Sequence, residues 1–110
     1  MNKETLEQLS KFGGAELLET VLTDFETEAN ELIKNCMTYF ADNHIEEIRK
    51  ELHTLKGSAG TLGIEKLANH VIKLELQLKT ADTTNLKPQL DSIQECFIEF
   101  KENYKNILQM

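Results

Sequence analysis

The sequence predicts an all-α fold, an antiparallel up-down-up-down four-helix bundle with a short additional N-terminal helix, and three observations carry that prediction. Apolar residues recur by alternate threes and fours through four long segments, which is the helical period and not the strand period. The breaks between those segments are few and short: Gly13-Gly14, Ala41-Asp42-Asn43, Gly60 to Gly63, and Ala81 to Asn85. Short connections between long amphipathic helices favour antiparallel neighbours. With 110 residues, 40% of them hydrophobic, and a single proline, the chain fits one domain spanning 1–110 with a core large enough to fold without staples.

The elements follow in order. A small N-terminal helix, about Lys3 to Phe12, is expected to lie across one end of the bundle. The first long helix, about Ala15 to Phe40, carries Leu18, Val21, Leu22, Phe25, Ala29, Leu32, Cys36 and Phe40 on one stripe. The second carries Ile45, Ile48, Leu52, Leu55, Ala59 and Leu62, with Asp42 placed to cap its N-terminus. The third, about Ile64 to Thr80, carries Ile64, Leu67, Ala68, Val71, Leu74 and Leu78. The fourth carries Leu86, Leu90, Ile93, Phe97, Phe100, Tyr104 and Ile107. Thr84 or Asn85 is its expected cap, and Pro88 is tolerable because it falls within the first turn. No segment reads as a strand.

Charge excludes some functions. Twelve Lys and Arg against nineteen Asp and Glu leave a net charge of −7, which repels phosphate backbones and argues against nucleic-acid binding. No apolar run approaches the roughly 20 residues a bilayer span requires, and Met1 to Ser10 does not read as a leader, so a cytoplasmic protein with no membrane partner is expected. Cys36 and Cys96 both fall within apolar stripes, which favours two buried thiols over a disulfide and fits a reducing compartment. Asp91, Glu95, Glu99 and Glu102 space as a solvated flank, and the phenylalanines as core. A di-metal carboxylate bundle would need inward Glu-x-x-His pairs, but Ala41, Lys50 and Leu67 precede His44, His53 and His70 by three. His44 and His70 read as surface residues without a role.

Two places break the pattern, and these carry the chemistry. In the run His53-Thr-Leu-Lys56-Gly57-Ser58-Ala59-Gly60, two glycines sit inside a helix whose apolar period continues to Leu62. Each costs about 0.8–1 kcal/mol relative to alanine. At about 100° per residue His53 points roughly 120° away from the apolar stripe, toward solvent. Gly57 one turn on adds no side chain beside the ring, and Lys56 brings an ammonium near whatever the ring holds. The plain alternative is a surface histidine in a helix that uses glycine for close packing.

The second break is Glu75, a carboxylate within the inner stripe of the third helix, where it needs a partner. In an antiparallel hairpin turning near Leu62-Gly63-Ile64, position 75 lies level with position 53. Glu75 is thus placed to reach the His53 ring, hold the proton on one nitrogen and leave the other as an oriented nucleophile. The alternative is a glutamate that snorkels to solvent or pairs with a lysine. A neutral imidazole on an open surface with a lysine nearby suits acceptance and onward transfer of a phosphoryl group. Gly57-Ser-Ala-Gly60 lies inside a helix with no preceding strand, and the Lys56-Gly57 order is wrong for a phosphate-binding loop, so no ATP binding or hydrolysis is expected.

The run His53-x-x-Lys56-Gly57-Ser58-Ala59-x-x-Leu62-Gly63, followed by Leu67 and Glu75, closely resembles the signature of histidine-containing phosphotransfer (HPt) domains. The recognisable residues span about Leu52 to Leu78, and the architecture spans the chain. The resemblance implies a phosphohistidine intermediate between receiver-domain aspartates in a multistep His-Asp phosphorelay of two-component signalling, without kinase activity of its own. It implies His53 as phosphoacceptor through its distal nitrogen, Lys56 as stabiliser of phosphoryl charge, Gly57 as the residue keeping the ring accessible, and Glu75 as a ring-orienting partner. Many family members have glutamine where Glu75 stands, and some present an arginine further along, where Lys79 is the nearest equivalent in this chain. The implied partners are response-regulator receiver domains and a hybrid histidine kinase. The chain itself is expected to be a monomer without a cofactor, Mg²⁺ belonging to the receiver. The competing readings are a helical adaptor that never carries phosphate and an excised phosphoacceptor domain of a chemotaxis-type histidine kinase.

Overall fold

A computed structural model describes residues 3–108 of the chain. It contains four helices, α1 (Lys3–Ala41), α2 (Ile45–Thr61), α3 (Glu65–Lys79) and α4 (Leu86–Leu108), and no strand among the described residues. α1 packs on α2 and α4, and α3 packs on the same two, so each helix has two neighbours around a common core. α1 is interrupted once, at Gly14, whose φ of 69° and ψ of −162° are non-helical. A residue with a Cβ is strongly disfavoured there, which is why the break falls on the glycine pair.

The first three helices end in the same way. At the end of α1 the amide of His44 donates to the Tyr39 carbonyl and that of Asn43 to Phe40; at the end of α2, Ile64 donates to Ala59 and Gly63 to Gly60. At the end of α3, Asp82 donates to Gln77 and Ala81 to Leu78. These crossed bonds are Schellman motifs, which place one residue in the left-handed region: Asn43 (φ 59°), Gly63 (φ 68°) and Ala81 (φ 60°). The apolar contact that accompanies such a motif is visible at the first end, where the His44 ring stacks on Tyr39 at 6.2 Å between centroids, with ring planes 8° apart.

This geometry corrects the capping expectation for α2. The residue before the first helical turn is His44, not Asp42, and no side chain caps it. Asp42 lies inside α1's own exit turn, which runs on through Asn43 and His44, so its carboxylate is two positions too early to cap the free amides of α2. α4 begins as expected at Leu86, with Pro88 in its first turn and Asn85 supplying the carbonyl for Gln89 N–H.

The core forms where the stripes converge. Leu22, Ile48, Leu52, Leu55, Val71 and Leu74 are essentially inaccessible, each contributing about 1.5–3 kcal/mol by burial. Phe25 and Phe100 meet edge to face at 5.3 Å, worth about 0.5–1.5 kcal/mol beyond their area. On α1 the residue buried in place of Leu32 is its neighbour Ile33, with Leu32 only partly covered. The stripe is wider than a single row because α1 faces two helices. The side chain of Ile107 lies outside the described residues. Cys36 and Cys96 are free and buried, and burial together with the Glu51 charge pushes the Cys36 thiol up to about 12. A thiol so held is inert.

Candidate functional site

Leu52 and Leu55 anchor the inner face of α2 on the core, which fixes where the residues between and beyond them point. His53 falls on the outer flank with its side chain 63% exposed. Lys56 follows at three residues and Gly57 at four, so both stand one turn along the same flank. A Cβ built at Gly57 or at Gly60 would meet nothing within 4 Å. Neither glycine is demanded by close helix packing, and at Gly57 the missing side chain leaves the imidazole uncovered.

Across the α2–α3 interface stands Glu75. It is buried among Ala68, Val71, Leu74 and Leu78 with only 1% of its surface accessible, and such a carboxylate requires compensation. Its Oε1 lies 2.9 Å from His53 Nδ1, its Oε2 lies 2.8 Å from Lys56 Nζ, and Lys79 Nζ stands 3.7 Å from Oε1. The two sequence readings for Glu75, a histidine partner or a lysine partner, are therefore both met at once. Burial pushes the carboxyl upward, but hydrogen bonds from Lys56 and His53 and the charges of Lys56 and Lys79 outweigh it and hold the group below the ordinary carboxylate value.

The proton follows from these contacts. An ionised carboxylate only accepts, so the 2.9 Å contact requires Nδ1 to donate. In the neutral ring that leaves Nε2 with its lone pair, and among the described residues nothing hydrogen-bonds it. The result is an exposed nitrogen nucleophile whose tautomer is set from behind by a buried base, with an ammonium one turn away.

Around this centre the flanks differ. On the α1 side Ser58 donates to Glu28 at 2.6 Å, beside a shallow groove lined by Val21, Asp24, Phe25, Glu28, Gly57 and Leu62. One turn before the histidine, Arg49 grips Glu46 with its guanidinium. On α3 the exposed Ile72 and Leu76 stand to either side of Glu75 in the chain. His44 and His70 are exposed and outside the cluster, His44 serving the α1 exit turn described above. The sequence singled out His53, Lys56, Gly57 and Glu75, and the fold brings these four together. It did not anticipate that Lys79 would share the carboxylate. The available signal was the spacing, since residues 75 and 79 are one turn apart on α3.

A family model described as the Hpt domain matches residues 20–109 of the chain. A search of curated proteins and a search of solved structures returned no match. No helix among the described residues is long and apolar enough to cross a membrane.

Proposed function

Because the chain belongs to the Hpt domain family, we propose that it is the histidine phosphotransfer module of a multistep His-Asp phosphorelay, taking a phosphoryl group on His53 from one receiver-domain aspartate and passing it to another. Histidine phosphotransfer in two-component signalling is the work of this family, whose members are phosphocarriers rather than catalysts and act with response-regulator receiver domains. The observation that carries the assignment of His53 is the 2.9 Å contact between its Nδ1 and buried Glu75 on a ring that is itself mostly exposed.

In the loading step the Nε2 lone pair attacks phosphorus, the Nε2–P bond forms as the bond to the aspartyl oxygen breaks, and the receiver's carboxylate leaves. The ring keeps its Nδ1 proton, now on a phosphoimidazolium whose charge Glu75 offsets. Lys56 supplies positive charge to the phosphoryl oxygens, and Gly57 leaves room for the receiver. Mg²⁺ and the acid chemistry belong to the receiver, so this chain is read as having no cofactor, kinase or ATPase activity of its own, and as a monomer. The bundle is read as one antiparallel up-down-up-down domain over 1–110. The contacts Glu28 with Ser58 and Asn35 with Glu51 support that direction for α1 and α2, and Lys66 with Glu99 and Gln77 with Gln89 support it for α3 and α4. In each pair of contacts one number rises as the other falls. The segment before Gly14 is read as the short additional helix.

The test is phosphorylation of the purified chain by a small phosphoramidate, read by intact mass and acid lability beside His53→Gln, followed by a chase with receiver domains and Mg²⁺. One acid-labile phosphoryl group that is absent from His53→Gln and moves to a receiver supports the proposal. A wild-type chain that takes no label, or labels equally in His53→Gln, defeats it and leaves a helical adaptor.

A further inference from the structure

Three groups converge on the Glu75 carboxylate, but the phosphotransfer chemistry uses only two of them. Two anions compete for the Lys56 ammonium: in the unphosphorylated chain it stands 2.8 Å from Glu75 Oε2, and once His53 is loaded the phosphoryl oxygens draw on it as well. A phosphoryl group brings close to two negative charges, and a lysine side chain 31% exposed has the freedom to swing toward them. When it does, a carboxylate only 1% accessible would be left with the phosphoimidazolium ring alone for compensation. That ring is a cation whose charge the attached phosphoryl group already offsets, and an under-compensated buried charge neutralises by taking up a proton. A protonated Glu75 would no longer hold the proton on His53 Nδ1, and the geometry of the site would be lost in the state that has to transfer.

Lys79 stands where this would be prevented. It lies one turn beyond Glu75 on the same helix, its Nζ is 3.7 Å from Oε1, and its side chain is 47% exposed. That separation is an ion pair without a hydrogen bond, so the ammonium can close by about 1 Å without any movement of the backbone. Oε1 is also the oxygen that accepts from His53 Nδ1. Lys79 therefore stands against the same oxygen that orients the ring, with its contact made to the carboxylate. That contact suits compensation of the carboxylate. Arg49 adds to the positive field around Glu75 but is engaged by Glu46, and among the described residues no charged group of α1 or α4 pairs with Glu75.

We infer that Lys79 is a positioning residue of the phosphoacceptor site: it closes on Glu75 when Lys56 turns to the phosphoryl group, and so keeps the carboxylate charged and the proton on His53 Nδ1 throughout the transfer. This rests on the phosphotransfer reading for its loaded state, but its first half concerns the unphosphorylated chain alone. Lys56 and Lys79 are two cations for one buried anion, either of which suffices, with one of them free to follow the phosphoryl group.

The experiment reads the His53 ring tautomer by nitrogen NMR in the wild type, Lys56→Met, Lys79→Met and the double variant, with helix content checked by circular dichroism. Each single variant is expected to keep Nδ1–H and the double variant to lose it. Loading by a small phosphoramidate is then expected to fall roughly tenfold in Lys79→Met, a loss that reflects the loaded state, and to recover in Lys79→Arg, which restores the charge. A purely structural Lys79 would move neither the tautomer in the Lys56→Met background nor the arginine rescue. The inference is overturned if the double variant keeps Nδ1–H as fully as Lys56→Met does, or if Lys79→Met loads at the wild-type rate. A wild-type chain with the stated tautomers that takes no phosphate at His53 overturns the phosphotransfer reading and with it the role of Lys79 in the loaded state.

Discussion

Glu75 Oε1 lies 2.9 Å from His53 Nδ1, and the two side chains differ as widely as two partners can: one is 2% exposed and the other 63%. In the proposed transfer the buried member supplies direction and the exposed member supplies reactivity. Glu75→Gln and Glu75→Ala separate the two things the carboxylate does. Glutamine keeps an oxygen able to accept from Nδ1 but loses the charge; alanine loses both. Loading of His53 by phosphoramidate is expected to fall by about tenfold to a hundredfold in the alanine variant, and by clearly less in the glutamine variant. Equal loading rates for wild type and Glu75→Ala would sink the orienting role.

The lowered carboxyl of Glu75 also makes stability depend on pH, with a definite sign. The group is held below its ordinary value of 4.5 in the folded chain, so the unfolded chain binds its proton first as pH falls. The stabilisation is fully present above about 4.5 and is lost as pH drops through the lowered folded value. Comparing urea midpoints of wild type and Glu75→Gln between pH 7 and pH 3 should show a wild-type advantage that shrinks below the ordinary carboxylate range. An advantage that grows on acidification would contradict the charge assignments around Oε1 and Oε2.

Gly57 and Gly60 both have open space where a Cβ would stand, so stability and access can be tested apart. Alanine at either position is expected to stabilise α2 by about 0.5–1 kcal/mol, read as a higher Tm. Only position 57 borders His53 by one helical turn. Gly57→Leu should therefore fold normally and load from phosphoramidate, yet exchange phosphate with a receiver more slowly than Gly60→Leu does. Equal receiver transfer in both leucine variants would remove access as the reason for glycine at 57.

What the sequence made legible was whatever a period or a spacing encodes. The inward position of Glu75 and the outward position of His53 follow from helical phase, and their meeting follows from a short hairpin. The capping of α2 was not legible, because Asp42 fits the composition of a cap and only the crossed bonds of the α1 exit turn show that it is two residues early. Ile33 displaces Leu32 as the buried residue because α1 serves two neighbours, a matter of packing and not of period. Lys79 stands at the right spacing from Glu75, but lysine four residues after glutamate is also an ordinary surface pair. Its meaning depends on Glu75 being buried and already engaged by Lys56, which only the assembled bundle decides.

The three exit turns supply a last prediction, since they solve one backbone problem with three different residues. Gly63 meets the left-handed requirement without a steric penalty, and Asn43 meets it as the residue type that best tolerates it after glycine. Ala81, at φ 60°, has neither advantage. Its Cβ approaches the following carbonyl, a strain of about 1–2 kcal/mol in alanine that glycine avoids, while glycine loses more chain entropy on folding, about 0.5–1 kcal/mol. Ala81→Gly is therefore expected to stabilise the protein by about 0.5–1 kcal/mol net, a rise in Tm of several degrees for a domain of this size. Because Ala81 is exposed and lies beyond the end of α3, phosphoryl loading at His53 should not change. The mirror variant Gly63→Ala, at the tip joining α2 to α3, should lose stability by a comparable or larger amount. A fall in Tm for Ala81→Gly would mean that the α3 exit turn is not held in the crossed-bond geometry that Asp82 and Ala81 make with Gln77 and Leu78.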